Sequence, residues 1–346
     1  AIYADESIYE YPMQQGGGND GRPYSFGRPS SGGSKAAYPC KSYGQGRINP
    51  AYFYGVFDPN DMRRDVSITM TGSNGKGVEK LIPFVPNSKA EGGGLTLNKW
   101  DENRQANPWV AAQRKSGING PYMRMSEVYL GYAEVCAALG DVVTGKQYLK
   151  TVRERSFPQG LANTDAFIAS FGNDLVRAII EERGFEYAGE GDRRWTLIRS
   201  GYLPEDIKRI KDMTKAMMDG LATKGYYEFE NGNIISAYIW TKLVDAKTIY
   251  GHRLTAQCPT DKVNDPVLYP GWRGQKDNWE EMGLNYGSST PATNLAIKGL
   301  FEIVSEEEAA SLESQGYTKV NWGIDLVDNR DEYDKYLFWD YDYVSA

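Results

Sequence analysis

Histidine is almost absent from this chain of 346 residues, since His252 is the only one. Catalytic triads and most zinc sites use histidine as a base or as a ligand, so its scarcity excludes most chemistry of those kinds. The three cysteines, Cys40, Cys136 and Cys258, are widely spaced and match neither a disulfide framework nor a zinc pattern. The acidic stretch 325–332 lacks the alternating spacing and the glycine of a calcium loop. We therefore expect no metal and no cofactor.

The chain also lacks long apolar runs and an excess of positive charge. There is no run of 18 apolar residues, which predicts that the polypeptide itself does not span a membrane. The formal net charge is -7, so the surface would repel polyphosphate and we expect no nucleic-acid partner. Residues 1–11 do not have the pattern of an export signal. If the protein is exported, we expect its natural start to lie before this sequence.

Hydrophobic residues make up 40% of the chain, which is enough to bury a large core. We expect one domain over 1–346, with a loop-rich part at 1–120, a helical core at 121–201, and mixed helix, loop and short strand at 202–346. The loop-rich part is the candidate ligand surface. Within it, the alternation of apolar and polar residues at 66–70 predicts a strand. The glycine-rich stretches that break its periodicity are 16–18, 30–33 and 92–94.

Helical spacing dominates the second part. Apolar residues recur every three or four positions from Pro121 to Leu139, which predicts an amphipathic helix that Gly140 ends. Thr144 and Gln147 match a capping box for a second helix, over 146–156. The two helices would form an antiparallel hairpin. A longer third helix is predicted from the polar residues 163–165 through Arg183 towards Tyr187.

The pattern beyond residue 201 is weaker. We predict a helix over 206–218, a strand over 234–244 and a loop over 255–289. A short acidic helix over 305–314 would have Ser305 as its N-terminal cap. The aromatic residues at 333–344 would pack back on the protein as an extended segment.

Four segments carry a resemblance to a known family. Residues 122–135, YMRMSEVYLGYAEV, look like a helix with the family pattern R-x-x-E-x-Y-L-x-x-A-E-A. Residues 180–201, IEERGFEYAGEGDRRWTLIRSG, look like the pattern E-R-x-x-E-x-x-x-E-G-x-R-W-x-D-L-x-R-x-G. Between them, 148–155 is similar to L-N-x-V-R-x-R, and upstream 61–64 is similar to D-x-R. The chain thus resembles the C-terminal part of the SusD/RagB-like outer-membrane nutrient-binding lipoproteins.

That resemblance implies a mainly α fold with long loops and a few short strands, on a tetratricopeptide-related framework of αα-hairpins. It implies a cell-surface protein, lipid-anchored to the extracellular face of the outer membrane in its full-length form, that binds a glycan without cleaving it. The partner would be a TonB-dependent (SusC-like) transporter. The chain departs from the pattern at Thr196, where aspartate is usual, and 336–340 is a loose echo of the terminal segment. Nothing resembles the N-terminal portion that carries the lipid, so we expect that portion to be missing.

The aromatic residues suggest where a glycan would bind. The chain has 25 tyrosines and 8 tryptophans, many beside glycine, asparagine and proline. A sugar ring packs its apolar C–H face on an aromatic ring, while its hydroxyls need directional donors and acceptors. From this chemistry we predict the following ligand-binding residues: Tyr24, Phe26, Arg28, Tyr38, Tyr43, Tyr54 and Trp109.

A dense set of charges follows in the second motif. Alternating charges on a helix and in the loop after it are typical of ion pairs that stabilise a fold. We interpret the following residues as a structural ion network: Glu182, Arg183, Glu186, Glu190, Arg193 and Arg194. Two alternatives stay open. Two of the carboxylates could serve as acid and base of a glycoside hydrolase, or the same framework could capture peptides or another nutrient.

Overall fold

The computed structural model describes residues 6–14, 16–17, 46–73, 79–82, 84, 94–100, 117–158, 160–245 and 293–330. The predicted loop over 255–289 and the predicted extended segment over 333–344 lie outside these residues. The predicted mainly α fold with a few short strands is confirmed. No helix in the described ranges is long and apolar enough to cross a membrane.

The elements of the described part are short, apart from four helices of 12 to 22 residues. The helices are a π-helix (Tyr52–Val56), α1 (Met62–Ser67), α2 (Met125–Ala138), α3 (Val142–Glu154), α4 (Thr164–Ala169), α5 (Leu175–Glu186), α6 (Arg193–Ser200), α7 (Leu203–Lys224), α8 (Glu306–Ser314) and α9 (Gly323–Asp328). The strands are β1 (Ser7–Tyr11), β2 (Ile68–Thr69), β3 (Thr71–Ser73), β4 (Glu79–Leu81), β5 (Thr96–Leu97), β6 (Gly120–Arg124), β7 (Tyr226–Glu228), β8 (Ile234–Ser236), β9 (Tyr238–Asp245), β10 (Thr293–Lys298) and β11 (Thr318–Asn321).

Helices α2 and α3 form the predicted antiparallel hairpin. Their buried side chains, among them Leu130, Ala133 and Leu149, pack with Ile179 of α5 in one cluster. The two helices cross closely at Gly145, where a Cβ atom would lie 3.0 Å from a backbone oxygen of α2. A larger side chain at this position would push the helices apart, so the glycine sets their separation.

The first helix begins later than the periodicity predicts. Residues 120–124 form strand β6, which pairs antiparallel with β1, so the predicted helical start at Pro121 is wrong. Proline lacks a backbone N–H and fits an extended edge strand. The partner strand lies more than a hundred residues away in sequence, with Ser7 opposite Arg124. A local pattern cannot reveal a pairing at that distance.

The cap of α3 also differs from its prediction. The Asp141 carboxylate accepts a hydrogen bond from Thr144 N at 3.1 Å, and the helix begins at Val142. The predicted cap at Thr144 is therefore wrong, because the aspartate three residues earlier already caps the first turn. Gly140 allows so short a connection, since its φ of +88° is a left-handed conformation that favours glycine.

The predicted third helix is two helices. Asn163 caps α4 by accepting a hydrogen bond from Ala166 N at 3.1 Å, as the sequence predicted. The chain then breaks at Gly172 and Asn173, which both have positive φ, and α5 begins after Asp174. The Asp174 cap determines where α5 begins and therefore which way its charged residues, described below, face.

Other elements agree with their predictions in part. Ser305 caps α8 as predicted, with Glu308 N donating to its hydroxyl at 3.2 Å, and α7 extends the predicted helix over 206–218 in both directions. The predicted strand over 234–244 is interrupted at Ala237 and becomes β8 and β9, and β9 is the middle strand of the sheet β10-β9-β11. The predicted strand over 66–70 is mostly wrong. The Asp61 carboxylate caps α1, which carries the helix on to Ser67 before β2 begins.

The largest core cluster surrounds the π-helix. Phe53, Tyr54 and Phe57 are fully buried and pack with residues of α5, α7, β8, β9 and α9. Trp322, immediately before α9, donates a hydrogen bond from Nε1 to the Tyr54 hydroxyl at 2.9 Å. The core therefore joins parts of the chain that lie 268 positions apart.

Candidate functional site

Helix α5 brings its charged residues into the protein interior. Glu182 is fully buried, and its carboxylate lies 2.9 Å from the Arg153 guanidinium and 2.7 Å from that of Arg63. Two arginines thus neutralise one buried carboxylate. An unpaired charge at this depth would be strongly destabilising, so the arrangement holds α3 and α1 against α5.

Glu186, one turn further along α5, lies between three arginines. It is 3.0 Å from Arg63 and 2.5 Å from Arg155, and it also pairs with Arg124. Burial by itself would raise the pKa of Glu186, but Arg124, Arg63 and Arg155 outweigh that effect and hold the pKa well below its ordinary value. Glu186 is therefore a charged anchor at neutral pH.

A second group of ion pairs ties α5 to α6 and α7. Glu181 lies 2.7 Å from Arg193 and 2.9 Å from Arg209. Asp206 pairs with the same two arginines at 3.0 and 2.7 Å. Burial would raise the pKa of Asp206, yet the two arginines lower it overall. The four groups form a closed square of alternating charge.

A third group contains the departure from the family pattern at Thr196. Arg183 pairs with Asp192 at 2.6 Å, and its Nε donates to the Thr196 hydroxyl at 3.3 Å. That hydroxyl in turn donates to Asp192 Oδ2 at 2.8 Å. Threonine therefore bridges the arginine and the aspartate without adding a second buried carboxylate.

Beside these charges, two exposed aromatic side chains line an open depression of about 280 Å³. Tyr122 of β6 is 74% exposed and Trp195 of α6 is 69% exposed. Tyr9 of β1 supports Tyr122 edge-on, with ring centroids 5.7 Å apart. We call this the Tyr122–Trp195 depression, and its described lining residues are Pro121, Tyr122, Arg124, Glu127, Tyr187, Glu190, Gly191, Asp192 and Trp195.

Two larger depressions, of about 540 and 590 Å³, lie on the other side of α5 and meet at the π-helix. They share Gly55, Arg209 and Glu230. Their aromatic residues are mostly phenylalanines of the core, such as Phe185 and Phe229, which are buried. These depressions therefore offer less exposed ring surface than the Tyr122–Trp195 depression.

The sequence profile of the SusD family matches residues 3–270. The chain belongs to the SusD family. The membership predicted from the motifs is thereby confirmed. Those motifs contribute the buried charges described above, which explains why they are recognisable in sequence.

Individual SusD-family relatives match shorter stretches. The SusD-like protein P25 of Formosa agariphila is 28% identical over 160 residues, which are 46% of this chain and 26% of that protein. A SusD superfamily protein of Bacteroides fragilis is 22% identical with a TM-score of 0.38, over 56% of this chain and 40% of the other. Surface glycan-binding protein A of Bacteroides thetaiotaomicron is 18% identical with a TM-score of 0.41, over 57% and 43%. This chain therefore spans less than half the length of each of these relatives.

Five of the six residues predicted for the ion network of this SusD-family chain form ion pairs, but they are divided among the three groups described above. Arg124, which the prediction did not include, joins them by bonding both Glu186 and Glu190. Arg194 is exposed and, as far as the described residues show, makes no ion pair, so the structure leaves it outside the network. The five members are Glu182, Arg183, Glu186, Glu190 and Arg193.

Of the predicted ligand-binding residues, the structure describes only Tyr54. Tyr54 is fully buried with its hydroxyl bonded to Trp322, so its prediction as a surface platform is wrong. The π-helix directs the Tyr54 ring into the core, and aromatic content alone does not predict that orientation. The other predicted residues lie outside the described part of the chain: Tyr24, Phe26, Arg28, Tyr38, Tyr43 and Trp109.

Sequence reasoning missed the Tyr122–Trp195 depression. The helical spacing that starts at Pro121 predicts Tyr122 on the apolar face of an amphipathic helix, whereas it lies on strand β6 with its ring in solvent. The sequence offers no usable signal for Trp195 either. The apolar residues Trp195 and Ile198, three positions apart in α6, both lie on its exposed side, whereas the buried residues are Thr196 and Leu197, so the apolar spacing does not reveal which way the tryptophan points.

Proposed function

We propose that this SusD-family chain is the glycan-binding part of a cell-surface protein of the outer membrane, anchored by lipid in its full-length form. It binds an oligosaccharide or polysaccharide without cleaving it. It then delivers the ligand to a TonB-dependent (SusC-like) transporter. Family membership supports the nutrient-binding role. The Tyr122–Trp195 depression is the site that best suits a sugar.

The observation that carries this proposal is the exposure of two large aromatic rings over one depression. Tyrosine and tryptophan normally bury most of their area, and clustered exposure marks an interaction surface. The rings of Tyr122 and Trp195 offer flat apolar faces to the C–H face of a sugar. Carboxylates of Glu127 and Asp192, in the same lining, accept hydrogen bonds from hydroxyl groups.

The dimensions of the depression favour one or two sugar units of a longer chain. Its volume of about 280 Å³ is below the ~300–1,000 Å³ of pockets that enclose small molecules. A polysaccharide needs such an open site, because the rest of the chain must leave it on both sides.

The state of the buried carboxylates supports binding without cleavage. Acid catalysis at a glycosidic bond needs a carboxyl group whose pKa is raised and which reaches the bond. Glu186 has its pKa lowered, and arginines contact it directly. Glu181 and Glu182 are likewise buried against arginines. These groups serve the fold.

The test is retention of the protein on immobilised polysaccharides, by affinity electrophoresis and on a glycan array. Trp195→Ala should weaken binding of the retained glycan by about tenfold and Tyr122→Ala by about threefold, because the larger indole loses a stacking face worth about 1.4 kcal/mol and the phenol one worth about 0.7 kcal/mol. Tyr132→Ala is the matched control, since Tyr132 is half-exposed on α2 and does not line the depression. Equal retention of all four proteins would refute the site.

Two further outcomes address the alternatives. Incubation with the retained glycan should release no reducing ends above a blank, and steady release would refute binding without cleavage. Retention of a peptide mixture with no glycan retained would favour capture of another nutrient. Co-purification of the full-length protein with a TonB-dependent transporter from outer membranes would test the delivery step.

A further inference from the structure

We propose that the Tyr122–Trp195 depression selects uncharged glycans and rejects polyanionic ones such as sulfated or uronate chains. The inference rests on the proposed glycan-binding function and narrows its ligand class. Its basis is the set of polar groups in the depression that the protein leaves available to a ligand.

Arg124 is the only cationic side chain in the described lining, and its donors are already used. Its Nε and one of its terminal nitrogens bond the two carboxylate oxygens of Glu190 at 3.1 and 2.9 Å. The same terminal nitrogen also donates to the Glu186 carbonyl at 2.8 Å. The other terminal nitrogen bonds Glu6 at 3.0 Å and also the Glu186 carboxylate. All five N–H groups therefore have partners within the protein.

The carboxylates of the depression, in contrast, keep free acceptor capacity. Glu127 has a side chain that is 39% exposed, and the Arg183 guanidinium that approaches it is 3.6 Å away, longer than a hydrogen bond. Asp192 bonds Arg183 and Thr196 but remains partly exposed. With Glu190, three carboxylates face one arginine in the lining. Arg183 neutralises Asp192, and Lys99 and Arg124 neutralise Glu190, so among the described lining residues Glu127 is the carboxylate with no cation at hydrogen-bond distance.

This inventory fits a ligand that donates hydrogen bonds and carries no negative charge. The hydroxyls of a neutral sugar would donate to Glu127 while its C–H face covers the rings. A sulfate or carboxylate group would find no free guanidinium among the described lining residues, although bidentate arginine is the usual partner of such anions. It would instead lie close to Glu127 and Asp192. Arg194 follows Arg193 along α6 but does not line the depression.

The experiment compares glycan pairs that share a backbone and differ in charged substituents. The probes are galactan with its sulfated form, xylan with glucuronoxylan, and methyl-esterified with de-esterified galacturonan. The wild-type chain should retain the neutral member of at least one pair more strongly at low salt. The preference should shrink at 0.5 M salt, where the screening length falls to a few ångströms.

Glu127→Gln tests the assigned charge. It should raise retention of the anionic member by about twofold to threefold at low salt, since one unit charge is removed at contact range in water. It should leave the neutral member nearly unchanged, because the amide oxygen still accepts. Glu313→Gln, an exposed carboxylate on α8, is the matched control and should change neither.

The outcomes separate this inference from the proposed function. Retention of anionic glycans at least as strong as that of their neutral counterparts would overturn charge selection while leaving glycan binding intact. Retention of no glycan at all, in these pairs or on the glycan array, would overturn both. An equal response of the Glu127 and Glu313 variants would show that overall charge, and not this depression, sets the preference, and would also overturn the inference.

Discussion

Removal of the Glu182 carboxylate is the sharpest test of how this fold is held together. Glu182→Ala would leave Arg153 with a side chain that is only 2% exposed and with its partner at 2.9 Å gone. Breaking one side of a buried ion pair typically costs about 3–5 kcal/mol, because the remaining charge has lost its water and gained nothing in return.

The local structure places the expected loss near the lower end of that range. Arg153 keeps a hydrogen bond from Nε to the Ala162 carbonyl at 3.3 Å. Its guanidinium also lies 3.8 Å from the centre of the Phe167 ring, a contact worth about 1 kcal/mol or more when desolvated. We therefore expect Glu182→Ala to lower the free energy of unfolding by about 3 kcal/mol.

Urea titration followed by circular dichroism measures this change. Glu134→Ala is the matched control, because Glu134 pairs with Arg199, whose side chain is 51% exposed, and such a pair contributes about 1 kcal/mol or less. The double variant Glu182→Met with Arg153→Met removes both charges and should recover most of the loss. If Glu182→Ala costs no more than Glu134→Ala, the buried network does not stabilise the fold as argued.

Three further substitutions and one control test the core, the helices and the acid response, all by urea titration. Tyr54→Phe should cost about 1–3 kcal/mol, because Trp322 loses its buried acceptor, and should leave glycan retention unchanged. Gly323→Ala should cost about 1–3 kcal/mol, since a Cβ there would lie 2.7 Å from a backbone oxygen, whereas Gly131→Ala, with nothing within 4 Å, should add up to about 1 kcal/mol. Glu186→Gln should reduce the decrease in the free energy of unfolding at acid pH. The folded-state pKa of Glu186 is depressed, so its stabilisation is present above about pH 4.3, the unfolded value, and is lost as the pH falls further.

The sequence predicts the helical framework because that framework depends on local patterns. The α2–α3 hairpin follows from apolar spacing, and the caps at Asn163 and Ser305 follow from short polar side chains before helical runs. The misses have the opposite cause. Strand β6 exists because β1 pairs with it from the distant N-terminal part of the chain, and the break before α5 depends on two left-handed residues. Neither is encoded in a local period.

The candidate site is less predictable for the same reason. Whether a tyrosine faces solvent or the core depends on tertiary packing, so Tyr54 and Tyr122 were both assigned to the wrong environment from composition and periodicity. The charges of the second motif are easier to interpret. Arginine and glutamate alternate so densely in that motif that ion pairs are expected, and most of these residues do pair.

The ion network holds the backbone next to both rings of the aromatic depression. The scaffold motif therefore also positions the candidate ligand site. Tyr122 lies two residues before Arg124, and Trp195 lies two residues after Arg193. Each ring is thereby attached to backbone that a buried arginine fixes against α5. Rings that are already in place lose little conformational freedom when a ligand stacks on them, so more of the stacking energy appears as affinity. The proposed glycan site therefore depends on the ion network for the position of both rings.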